Sequence, residues 1–122
     1  MSIKTLLTAA AFGLLALPVA AEVRWNEAAT RAAFEGLSDA QRRSAQSIMK
    51  EAGFYSSAID GRWGQGTARS AKATAEFLED NSYNRLDFDL HTPDAARQFF
   101  QFVLSEDAGA YLWGEGGECD QC

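Results

Sequence analysis

FYSSAIDGRWGQGT, residues 54–67, is the stretch whose reading decides the fold of this chain. Asp60-Gly61 makes a tight turn at low steric cost, because glycine accepts positive φ. Gly64 and Gly66 give a second bend, and Thr67 is placed to cap a following helix. Trp63 lies between the two bends, and an indole is expected to pack rather than stand in solvent. A loop specified this closely either staples one helix against the next or presents a recognition surface.

The flanks read as helices. Upstream, Ser38 with Gln41 three residues later forms a capping-box pattern. Ala45, Ile48, Met49 and Ala52 then fall at i, i+3, i+4 and i+7, one apolar stripe, and Gly53 is placed to end the helix. Downstream, Ala71, Ala75 and Leu78 line one side of a third helix, with Phe77 nearby and Glu79–Ser82 as its end. An earlier helix is capped by Asn26 and runs through about Phe34, ending near Gly36. Arg85–Leu90 is an irregular linker or a short strand, with Leu86, Phe88 and Leu90 alternating against charge. Thr92-Pro93-Asp94 starts a fourth helix: a cap, proline at the first helical position, and an acid in the first turn. Its buried face is Ala96, Phe99, Phe100 and Val103. From Ser105 the chain becomes acidic and glycine-rich, with Tyr111, Leu112 and Trp113 as anchors. No repeat or low-complexity tract interrupts this order. The fold class is mainly α.

The first residues read as an export signal rather than as structure. Lys4 precedes an apolar run, Leu6–Leu17, and Val19-Ala20-Ala21 fits a small-residue cleavage site. Cleavage after Ala21 is expected, with no membrane span in the mature chain; an uncleaved anchor is the alternative, although the run is short for a span. Residues 22–104 then form one helical domain and 105–122 a tail. Both cysteines of the chain, Cys119 and Cys122, lie in that tail. An oxidising compartment favours a disulfide between them; a redox or metal role, or reduced thiols, are the alternatives. So short a loop stabilises little.

The 122-residue chain has a net charge of −6, which argues against nucleic acid as a partner. Its basic residues are concentrated, however. Arg42, Arg43, Lys50, Arg62, Arg69 and Lys72 fall in residues 41–72, against Glu51 and Asp60 alone. That island suits either an anionic partner or a solvated helical face. Catalytic inventories are thin. His91 is the one histidine, at a helix entry, and no nucleophile elbow is present. Combining His91 with the cysteines gives spacing without a metal-site pattern. No paired carboxylates stand out, so no enzyme, cofactor or metal is expected.

The stretch from about Ala45 to Ala75 resembles the peptidoglycan-binding-like domain, a small three-helix module found on bacterial wall hydrolases. That family has a helix carrying Leu-Gln, then Leu-Gly-Tyr-Tyr, then Asp-Gly, an aromatic-Gly and a Thr that starts the next helix. This chain has Ala45-Gln46, Ala52-Gly53-Phe54-Tyr55, Ile59-Asp60-Gly61-Arg62-Trp63-Gly64 and Thr67 without a gap. It departs at Ala45, at Ser56-Ser57 in place of Pro-Gly, and at Thr74-Ala75 in place of Phe-Gln. The resemblance implies an orthogonal three-helix core, residues 38–80, with an additional C-terminal helix and an irregular tail.

Within that motif, Gln46, Gly53, Ile59, Asp60, Gly61, Trp63, Gly64 and Thr67 are expected to be structural. Asp60 should accept backbone N–H groups of its own turn, and Ile59 and Trp63 should fill the gap between the second and third helices. Ligand contacts are expected from more exposed neighbours, Tyr55, Arg62, Gln65 and Arg69, with Arg43 beside them. Aromatic rings stack on sugar faces, arginine grips carboxylates with two parallel hydrogen bonds, and the third helix adds its positive end. The function implied is a periplasmic or secreted, non-catalytic protein that binds peptidoglycan through glycan or stem peptide. The alternative is an interaction module for another envelope protein that keeps the fold without wall binding.

Overall fold

A computed structural model describes residues 24–113. Five helices follow one another: α1 Glu27–Glu35, α2 Asp39–Glu51, α3 Gln65–Asn81, α4 Pro93–Val103 and α5 Ala108–Leu112. Residues 1–21 and the cysteines Cys119 and Cys122, to which export and a disulfide were assigned, lie outside the described residues. Among the described residues no helix is long and apolar enough to cross a membrane.

The local start and stop signals act as the side-chain chemistry dictates. Asn26 accepts the Ala29 amide at 2.9 Å, and Thr92 accepts the Ala95 amide at 3.2 Å ahead of Pro93. Ser38 and Gln41 form both halves of the capping box, each bond 3.1 Å. Gly53 follows α2 with φ +93°, where a Cβ would be strained. One element goes beyond the reading of the tail as irregular: α5 closes residues 108–112 into a short helix, with Ala108 and Leu112 buried.

The second finding concerns α4. Its contribution is integral, because the largest side chains at the centre are Phe34 from α1 and Phe99 and Phe100 from α4. α1 packs chiefly on α4. Their entries are tied together: Leu90 donates to Arg24 O at 2.9 Å and Asn26 donates to Leu90 O at 3.0 Å, forming a parallel bridge between Trp25 and Leu90. Thr30 Oγ1, fully buried on α1, adds a 3.1 Å bond to the same Leu90 carbonyl. α3 supplies the small residues Ala71 and Ala75 with Leu78, so its backbone can approach this ring cluster.

Trp63, Phe34, Phe100, Phe99, Phe88, Phe102 and Tyr111 form a continuous chain of aromatic contacts, with centroids 5.0 to 6.0 Å apart. The pairs are tilted or edge-on, as the ring quadrupole prefers. This chain runs from the 54–67 loop through the core to α5, so the loop is anchored in the body of the domain.

Candidate functional site

Gln46 is the centre of the loop's architecture. It is fully buried on α2, and its Oε1 accepts the amides of Asp60 and Gly61 at 3.0 and 2.8 Å. Its Nε2 has four oxygens within reach: Arg62 O at 3.0 Å, Tyr55 Oη and Thr67 Oγ1 at 3.2 Å, and Asp60 Oδ1 at 3.3 Å. A primary amide has two protons and two lone pairs, so every capacity of the side chain is used. The two incoming N–H groups also fix which end of the amide is oxygen. One buried glutamine thereby ties α2, both arms of the loop and the first turn of α3 together.

The Asp60 turn has the expected geometry: the Arg62 amide donates to Oδ1 at 2.9 Å. That bond first, and the Gln46 amide second, hold the Asp60 carboxyl below its usual range. Gly61 has φ +72°, and a Cβ there would stand 2.8 Å from Asp39 Oδ1. Two α2 arginines fasten the turn from outside. Arg42 donates from Nε to Gly61 O at 2.9 Å and from Nη1 to Leu37 O at 2.5 Å. Arg43 donates to Asp39 at 2.9 Å and to Ile59 O at 3.3 Å.

Several expected positions are corrected. Tyr55 is not an exposed ligand residue: it is 5% exposed, and its hydroxyl donates to Ala58 O at 2.5 Å while accepting from Gln46. Tyr55 takes the place between α2 and α3 assigned to Ile59 and Trp63. Ile59 is therefore left 38% exposed, and Trp63 turns instead onto Phe34 of α1, 5.6 Å between centroids. Thr67 is not a cap, because α3 starts two residues earlier with Gly64 at its N-cap and no side-chain cap bond. Its hydroxyl donates to Arg62 O at 3.2 Å. Gly64 has φ −164°, an extended conformation open to any residue, so its backbone makes no demand for glycine.

Arg62, Gln65 and Arg69 are exposed, as expected. Of the three, Arg62 lines the groove against α1, a cavity of about 430 Å³ shared with Arg31, Glu35, Arg42, Gly61 and Trp63. Gln65 and Arg69, four apart on α3, share one helical face but are not among the lining residues. Arg31 and Glu35 were missed from sequence, and Arg42 was counted in the basic island without being singled out as a site residue. The Arg31–Glu35 spacing at i, i+4 was the available signal, and the two side chains pair at 2.9 Å. Among the described residues, the Arg62 guanidinium has no hydrogen-bond or ion-pair partner, whereas Arg42 is spent on loop carbonyls and, at 3.6 Å, on Asp39. No group of three or more His, Cys, Asp or Glu among the described residues is placed to hold a metal ion.

Comparison of the chain with protein-family models, with curated proteins and with solved structures gave no match. The case for function therefore rests on the geometry just given.

Proposed function

We propose that this is an exported, non-catalytic module that holds peptidoglycan weakly and reversibly through the rim of the 54–67 loop. The observation that carries the reading is Arg62. It is an exposed arginine without a partner among the described residues, beside a half-buried tryptophan, on a loop that Gln46 and Arg42 hold rigid. Rigid presentation matters because a site ordered before binding loses little entropy on binding. An open groove with one free charge suits modest affinity. Wall glycan and stem peptides supply the matching sugar faces, amides and carboxylates.

The test is co-sedimentation with insoluble purified peptidoglycan at low salt. Wild-type protein is expected in the pellet, and Arg62→Ala in the supernatant with an unchanged melting temperature. Wild-type protein that stays in the supernatant removes the wall reading and leaves the interaction-module alternative.

A further inference from the structure

The geometry points to a carboxylate-bearing sugar as the ligand of the Arg31–Trp63 groove, with Arg62 gripping the carboxylate and Trp63 facing the ring. This names the ligand chemistry of the site proposed above and rests on that reading only for the source of the sugar.

The groove's charges set the ligand's charges. Of its three arginines, Arg42 donates to Gly61, Leu37 and Glu35 carbonyls and Arg31 pairs with Glu35. That leaves Arg62 as the lining cation with no hydrogen-bond or ion-pair partner among the described residues, although the Asp60 carboxylate lies within the reach of its charge. One free guanidinium matches one anionic group, and its planar fork matches a carboxylate with two parallel bonds.

Glu35 narrows the choice further. Its Oε2 accepts from Arg31 at 2.9 Å, while Oε1 has no partner among the described residues. An unpaired acceptor in the same lining favours a ligand bearing hydroxyl or amide N–H donors beside its anionic group. Trp63 is half-buried, with one part of its indole on Phe34 and its Nε1 directed to Glu27 Oε2 at 3.4 Å. The ring is held at two points, and as a half-buried lining residue it offers the groove an aromatic surface of the kind sugar C–H groups stack on. A volume of about 430 Å³ falls in the range of small-molecule sites. An anionic group, hydrogen-bond donors and an apolar ring face occur together in a sugar acid.

The experiment follows the Trp63 indole N–H cross-peak by NMR during titration with three soluble probes: N-acetylmuramic acid, its methyl ester, and the monomeric methyl glycoside of galacturonate. The acid forms are expected to shift the Trp63 signal and to bind about tenfold more tightly than the ester. Arg62→Ala is expected to weaken acid binding about tenfold, Arg62→Lys to weaken it less, and Arg69→Ala to leave it unchanged. Binding of the muramoyl acid alone assigns the site to wall material; binding of galacturonate alone supports the chemistry with another acidic polysaccharide as source. Equal affinity for ester and acid, or no shift at Trp63 with either acid, overturns the inference. Peptidoglycan co-sedimentation without a Trp63 shift overturns it while leaving the wall reading intact. A Trp63 shift with galacturonate, without co-sedimentation, does the reverse.

Discussion

Replacing Gln46 is the sharpest test of how the loop is held. Gln46→Ala removes the acceptor of two amides, and the Gly61 amide lies in a buried bond. A buried donor left without a partner costs about 1–3 kcal/mol. The four oxygens facing Nε2 lose less, because Tyr55 and Thr67 keep their bonds to Ala58 O and Arg62 O. The expected destabilisation is about 3 kcal/mol, a fall in Tm of roughly 12–24 °C for a domain of this size. Gln46→Glu adds a pH signature. It keeps the shape but turns Nε2 into an oxygen beside Asp60 Oδ1, now 3.3 Å away, and facing three further acceptors. At neutral pH an uncompensated buried charge costs about 3–5 kcal/mol. The introduced carboxyl is then driven to a folded-state pKa above its unfolded value of about 4.3. The folded protein holds the proton that the unfolded chain has lost, so stability falls as pH rises through that window. Chemical denaturation of wild type and both variants between pH 4.5 and 7 is the assay. Gln46→Ala within 1 kcal/mol of wild type, or a Gln46→Glu penalty independent of pH, would refute the assignment of Gln46 as the hub.

Three further outcomes are expected. Gly61→Ala should cost about 1–2 kcal/mol in denaturant melts, since φ is +72° and the new Cβ meets Asp39. Thr74→Val should stabilise by about 1 kcal/mol, measured the same way, because Thr74 is fully buried and its hydroxyl lacks a hydrogen-bond partner among the described residues. Glu79 is almost wholly buried; burial first, then Asp87, Asp80 and Glu76, raises its carboxyl above the usual range. Ionising Glu79 therefore costs the folded state more than the unfolded chain, so this residue's contribution to stability falls as pH rises through the window of its titration. Glu79→Gln should be more stable than wild type at pH 7, the gap closing as pH falls toward 4.5, followed by thermal melts across that range.

Signals that act within three or four residues were legible in the chain. Asn26, Ser38 with Gln41, and Thr92-Pro93 mark helix starts because each cap bond closes locally. The stripes Ala45–Met49 and Ala71–Leu78 bury the faces their 3.6-residue period selects. Asp60 turns the chain through a bond spanning two residues. The resemblance of the 45–75 stretch pointed to Gln46 and the Asp60-Gly61 turn, and the two are directly bonded.

What failed were assignments that depend on which side chain wins a shared space. Tyr55 and Ile59 lie four residues apart on one loop, and nothing local decides which is buried. Tyr55 wins because its hydroxyl finds Ala58 O and Gln46 at the bottom of the gap, satisfying a polar atom that burial would otherwise penalise. Trp63 consequently packs on α1 and becomes the wall of a groove shared with Arg31 and Glu35, residues about thirty positions earlier in the chain. Arg42 and Arg62 carry the same charge in the same basic island, yet one is consumed by backbone carbonyls and the other stands free among the described residues. The sequence by itself determined the mainly α class, the starts of α1, α2 and α4 at their caps and the shape of the Asp60 turn, because those are local hydrogen-bonding choices. Only the tertiary structure decided that α4 pairs chiefly with α1, and which arginine and which aromatic ring line the groove, because those follow from competition for burial between segments distant in the chain.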